Sequence, residues 1–183
     1  MLVNFKILFA ILVLCMSSVF LSCEDAGDLS NNPVVDKKIE KEQLENANKF
    51  MIAQEKEAID GFIERNGIEM AETGTGLRYH IVKQGDTVPI KTGDIVVMEY
   101  EMRFLTGEMI YCSEQNGPKA FRVGRGGVES GLEEAVLHLH RGDEAEIIIP
   151  SHLAYGLVGD GDKIPPRAAL FYKVKIIDNQ SNK

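Results

Sequence analysis

Between Met98 and Phe104 apolar and charged residues alternate, with Met98, Tyr100, Met102 and Phe104 on one parity and Glu99, Glu101 and Arg103 on the other. A period of two sends successive side chains to opposite faces, so the segment predicts a strand with one buried and one wet face. Leu77–Val82, Ala145–Ile149 and Leu170–Ile177 are rich in β-branched and aromatic residues, bounded by Gly, Pro or Asp. They predict further strands of an antiparallel sheet. A helical period governs residues 36–67: Leu44, Ala47, Met51, Ala58, Ile59, Phe62 and Ile63 recur among charges, and Asn66-Gly67 supplies a stop. A helix of that length must bury its stripe on the following domain or on a second copy of the chain. Leu132, Ala135, Val136 and Leu139 fall at i, i+3, i+4 and i+7 and predict one short helix, with Ser130 and Glu133 spaced as a capping box and Gly142 as a stop. An antiparallel sheet wrapped over one short helix, preceded by a long N-terminal helix, is an α+β architecture.

The start of the chain follows neither period. Lys6 precedes an apolar run, Ile7 to Leu14, then Cys15 and a further stretch to Leu21, too short for a permanent span; this predicts a secretory signal over residues 1–22. Leu21-Ser22-Cys23, followed by Glu24 and Asp25, resembles a bacterial lipobox. That resemblance implies acylation of Cys23 and a lipid-anchored protein of the bacterial cell envelope, facing the periplasm or the cell surface. Residues 23–35 are polar and hold Gly27, Ser30, Asn31, Asn32 and Pro33, as a tether does. The folded domain is expected over residues 77–178.

Composition narrows the chemistry. The 183 residues, 44% apolar, allow one domain with appendages. Signal removal would take away Lys6 and no acid, moving the net charge from −8 to −9, which argues against nucleic acid as a partner. With Cys23 lipidated, Cys112 has no disulfide partner within the mature chain. His80, His138, His140 and His152 form no metal-ligand array, and His138 and His140 are placed to meet terminal carbonyls at a helix end. A nucleophile elbow is absent, and Gly124-Arg125-Gly126-Gly127 fits neither a phosphate loop nor a dinucleotide fingerprint. No metal or cofactor is expected.

What remains is an ordered series of landmarks: Gly93-Asp94 ahead of a strand with Tyr100, Thr106-Gly107, Phe121-Arg122-Val123-Gly124, Gly131-Leu132-Glu133-Glu134, Ala154-Tyr155-Gly156 and Ile164-Pro165-Pro166. In order and spacing, from about Leu77 to Asp178, they resemble the FK506-binding-protein (FKBP) family of peptidyl-prolyl cis–trans isomerases. The long helix ahead of T-G-T-G-L-R-Y-H-I-V is similar to the periplasmic, helix-bearing branch, whose members often dimerise through that helix. More narrowly, the lipid signal with I-Y-C-S and P-S-H-L-A-Y-G resembles the gliding-motility-associated lipoprotein isomerases.

The resemblance implies a pocket of Tyr100, Phe121, Tyr155 and Tyr172 as catalytic walls, with Ile110, Tyr111, Val128, Glu129, Leu132 and Ile164 contacting substrate. Leu132 stands where the family usually has Trp, and Ile110-Tyr111-Cys112-Ser113 replaces F-D-S-S, removing the common Phe and the pocket Asp. At Glu129 the family uses the backbone N–H to receive a ligand carbonyl, so the side chain there is expected to matter less. By themselves Leu132 and Val128 read as core residues, whereas converging tyrosines suggest a site with a few placed polar groups. Twisting an Xaa-Pro amide breaks resonance worth a barrier of about 18–20 kcal/mol. An apolar seat for the proline ring lowers it by differential binding, with no nucleophile needed. Aromatic and aliphatic walls lead us to expect turnover with apolar residues before proline. A binding module, acting as chaperone or scaffold with little turnover, is the alternative for this fold.

Overall fold

The computed structural model describes the backbone of residues 33–180 and the side chains of residues 37–178; the segment expected to be a secretory signal and Cys23 lie outside the described residues. The chain divides into a unit of Met1–Asn46 and a unit of Ala47–Lys183. Helix α1 runs Pro33–Asn66. It begins three residues earlier than the sequence pattern predicts, inside the segment expected to be tether, because proline's fixed φ is compatible with a first helical turn. The expected stop holds: Gly67 has φ +62° and its N–H bonds to the Glu64 carbonyl.

The second unit is an antiparallel sheet. Its strands are β1 (Ala71–Glu72), β2 (Arg78–Lys83), β3 (Ile95–Phe104), β4 (Met109–Cys112), β5 (Lys119–Arg122), β6 (Glu144–Ile149) and β7 (Leu170–Gln180), with a short α2 (Ser113–Asn116) after β4 and α3 (Ser130–Val136) after β5. The order is β1-β2-β6-β7-β3-β4, and β5 pairs with β3 beside β4. β3 alternates as predicted, with Val96, Met98, Tyr100 and Met102 buried, and all four apolar positions of the short-helix pattern are fully buried beneath the sheet. The capping box does not form. Glu129 holds the N-cap position, Ser130 Oγ donates to the Leu153 carbonyl, and the Glu133 carboxylate accepts from the Gly126 N–H. The histidines do not cap either: the His138 ring stacks on Tyr79 at 4.7 Å, and His140 Nδ1 lies 3.5 Å from Asp143.

On the opposite face of the sheet, Ile59 and Phe62 of α1 bury against Ile148 and Phe171, with the two phenyl rings 5.0 Å apart. Glu55 accepts from the backbone N–H and the hydroxyl of Ser151, tying the helix to the 3-10 turn after β6. The stripe read from the sequence is therefore buried only at its C-terminal end. Leu44, Ala47, Met51 and Ala58 stay exposed, as do Phe50 and Ile52. Phe50-Met51-Ile52 are consecutive, and at 3.6 residues per turn they wind round more than half the helix rather than forming one face.

Candidate functional site

The pairing of β3 decides what the site contains. Residues opposite one another in an antiparallel ladder share a face. Tyr172 of β7 opposes Met102, while on β5 Phe121 opposes Val96 and Lys119 opposes Met98. Lys119 is therefore brought to the inner face beside Tyr100, and its ammonium lies 5.1 Å from the Tyr100 ring centroid and 5.6 Å from that of Tyr172. The two tyrosine rings are tilted, 6.3 Å apart.

Glu129, at the start of α3, turns its carboxylate into this space, where the side chain is only 3% exposed. Tyr155 donates its hydroxyl to Oε1 at 2.6 Å, Tyr172 donates to the same oxygen at 2.8 Å, and Lys119 donates at 3.3 Å to both oxygens. Burial by itself would raise the Glu129 carboxyl. The charge of Lys119 and the two hydroxyls outweigh it and hold the group below its ordinary value. The same burial, with the carboxylate beside them, pushes the Tyr155 and Tyr172 hydroxyls upward, so both stay protonated as donors.

A second cluster shapes the rim. Tyr111 donates to Asp160 at 2.7 Å and to Asp162 at 3.2 Å, while Asp160 accepts from the backbone N–H groups of Asp162 and Ile164 at 2.9 and 2.7 Å. The Asp160 bond, then burial, raises the Tyr111 hydroxyl above its ordinary value. This clamp folds the loop that buries Ile164 to 3% exposure. Replacing Tyr111 with phenylalanine removes the hydroxyl that holds Asp160 and should quicken hydrogen exchange of the Ile164 amide. Unchanged protection there would show that the loop holds without the hydroxyl.

Tyr100, Ile110, Phe121, Leu132, Ile164 and Tyr172 belong to one buried cluster, with Tyr111, Val128 and Tyr155 partly buried against it. A concavity of about 720 Å³ lies mainly on the wet face of the sheet, among Glu99, Glu101, Glu146, Lys173 and Lys175; Tyr100 also borders it. That face holds solvated ion pairs such as Lys173 with Glu146 at 3.2 Å. Among the described residues there is no group of three or more His, Cys, Asp or Glu fit to hold a metal, and Cys112 is a buried free thiol.

The family model described as FKBP-type peptidyl-prolyl cis-trans isomerase matches residues 86–177, half of the chain. The chain belongs to that family. It is similar to the probable FKBP-type peptidyl-prolyl cis-trans isomerase FkpA of Neisseria meningitidis, 39% identical over 125 residues, which cover 67% of this chain and 45% of that one. The chain thus spans less than half of that relative's length. FK506-binding protein 2 of Dictyostelium discoideum is 37% identical over 92 residues, covering 50% of this chain and 69% of the relative. Among solved structures, a peptidyl-prolyl cis-trans isomerase from Pseudomonas syringae superposes with a TM-score of 0.62 at 25% identity, over 73% of this chain and 96% of that one.

Within the FKBP family frame, two expectations need correction. The Glu129 side chain was expected to matter little, yet it is the buried hub on which Tyr155, Tyr172 and Lys119 converge. Nor are the walls wholly aromatic and aliphatic: a cation covers the two tyrosine rings. Phe121 lies two residues farther along β5, opposite Val96, so the β5 side chain beside Tyr100 is Lys119. Sequence reasoning missed Lys119 although a signal existed. It shares parity with Phe121 and Val123, both buried, and a period of two places all three on one face.

Proposed function

We propose that this chain is a peptidyl-prolyl cis–trans isomerase that acts on proline-containing polypeptides and assists the folding of extracytoplasmic proteins. The observation that carries the reading is the gathering of Tyr100, Tyr155, Tyr172, Leu132 and Ile164 in one cluster within the segment that matches the family. Tyr100, Phe121, Tyr155 and Tyr172 form its walls, and Ile110, Tyr111, Val128, Glu129, Leu132 and Ile164 complete the substrate seat. Rotation about the imide requires an apolar seat for the ring and removal of water from the twisting bond, and no proton need leave the substrate. Magnetisation-exchange NMR on peptides Ala-Xaa-Pro-Phe with different residues before proline tests it: the folded protein at catalytic concentration should speed cis–trans exchange, and an unchanged rate on every one of them would sink the enzyme reading.

A chaperone or scaffold with little turnover is the second reading, and a specific contact favours it. The Tyr155 hydroxyl is already committed to Glu129, and Lys119 lies where a proline ring would meet Tyr100 and Tyr172. Captured unfolded protein together with an unaltered peptide exchange rate would decide for it.

Cys23 is the acylated first residue of a mature lipoprotein, similar to the gliding-motility-associated branch, held at the bacterial envelope and facing the periplasm or the cell surface. The lipobox-like ending Leu21-Ser22-Cys23 supports this, and among the described residues no helix is long and apolar enough to cross a membrane. Replacing Cys23 with serine should abolish acyl labelling; retained labelling would end the idea. A homodimer through residues 36–66 is supported by the exposed Leu44, Phe50, Met51 and Ile52. Sedimentation of the unlipidated protein as a monomer at micromolar concentration would refute it.

A further inference from the structure

Resting on the isomerase reading, we infer that the Lys119–Glu129 pair makes the site selective for an acidic residue, aspartate or glutamate, immediately before the proline.

The two members of the pair differ in access. The Glu129 side chain is 3% exposed and the Lys119 side chain 21% exposed. The carboxylate is served by two hydroxyls in addition to the ammonium, so its charge is spread over donors that the protein itself supplies. The ammonium has three N–H groups, and it meets one carboxylate and the faces of two aromatic rings. Of the two members of the pair, the accessible one is therefore the cation, and it retains capacity to donate.

That position relates the charge to a substrate. A proline ring seated against Tyr100 and Tyr172 comes within about one residue spacing, 3.8 Å between Cα atoms, of the preceding residue. A carboxylate on that residue reaches the ammonium standing 5.1 and 5.6 Å from those ring centroids. The Tyr155 hydroxyl cannot compete for it, because its single proton goes to Glu129. At the rim, Asp160 is engaged by Tyr111 and by the backbone of its own loop. A lysine before proline meets the ammonium as a like charge, while Glu129 lies too deep to compensate. A leucine there strips water from the ammonium and returns no hydrogen bond.

The test compares Ala-Glu-Pro-Phe, Ala-Gln-Pro-Phe, Ala-Leu-Pro-Phe and Ala-Lys-Pro-Phe by exchange NMR, with binding followed by the chemical shifts of the protein. The glutamate peptide should exceed the glutamine peptide by about threefold to tenfold in kcat/KM, as expected of a partly exposed charge-assisted contact, and the lysine peptide should be the poorest. The advantage should shrink as salt is added. In the double variant Lys119→Met, Glu129→Leu, which removes both charges and strands neither, the Glu-to-Gln ratio should fall to one and the leucine peptide should improve. An equal ratio in wild type and double variant, or a wild-type ratio of one at low salt, overturns the inference. Should the double variant fail to fold, the wild-type ratio and its salt dependence decide alone. Absence of turnover on every peptide would sink the isomerase reading, and the binding ratio would then decide the preference separately.

Discussion

Replacing Glu129 with leucine should destabilise the protein by about 3 kcal/mol, toward the lower end of what breaking a buried charged pair costs. The substitution leaves Lys119 as a cation over two aromatic rings, and it leaves the Tyr172 hydroxyl, on a fully buried side chain, without the acceptor it now has. One orphaned buried hydroxyl alone costs about 1–3 kcal/mol. The 21% exposure of Lys119 lets water solvate part of its charge, which keeps the total from the upper end. Adding Lys119→Met and Tyr172→Phe in the same molecule should recover most of the loss, because apolar groups that replace a whole buried network are often neutral. Urea unfolding of the single and triple variants measures both quantities. A single-variant cost under 1 kcal/mol would show that the hub bears little of the fold.

The same carboxyl has a signature in pH. Its folded pKa lies below its ordinary value, so its contribution is fully present above the unfolded pKa, about 4.3, and is lost as pH falls through the lower folded value. Wild-type stability should therefore decline below about pH 4.3 more steeply than that of Glu129→Gln, which has no proton to gain at that position.

The fold was legible where a period repeated long enough to be read. The Met98–Phe104 part of β3 and the four apolar positions around α3 follow from alternation and helical spacing, because burying each such face on its neighbour is what the fold does. The short strands β1, β4 and β5 were not predicted, since two to four residues carry too little pattern. β5 also hid behind its inward Lys119, a residue type that sequence reading assigns to water. The site was legible as a set of aromatic and aliphatic positions, but not as a network. Which carboxylate Tyr155 and Tyr172 share depends on where a loop residue, Glu129, enters α3, and that is set by tertiary packing. The capping box failed for the same reason. Ser130 and Glu133 had better-placed partners in the Leu153 carbonyl and the Gly126 N–H, both outside the helix.

Gly159→Ala should open the loop over the site and lower kcat/KM on Ala-Leu-Pro-Phe at least tenfold, in line with what misplacing a substrate wall by about 1 Å can cost. Gly159 has φ +72°, and a Cβ built there would collide with the Ile164 carbonyl and approach the Pro165 carbonyl carbon at 3.0 Å. Neither obstacle is a flexible side-chain end. Both are backbone, fixed by the Asp160 N–H on the Ile164 carbonyl at 3.1 Å, by Asp160 accepting from the Ile164 N–H, and by Tyr111 on Asp160. To admit a methyl group the loop must therefore release Ile164, which is buried among the pocket residues. Strain at a positive φ costs about 1–3 kcal/mol alone, and the lost packing of Ile164 adds to it. Gly161→Ala is the internal control. Its φ of +78° imposes a similar backbone penalty, yet nothing lies within 4 Å of the added carbon, so it should lose stability without losing the wall. Hydrogen exchange of the Ile164 amide and peptide turnover, measured side by side on the two variants, separate strain from collision. If Gly159→Ala behaves no worse than Gly161→Ala in both, the close approach of the loop to itself is not what holds the pocket in shape.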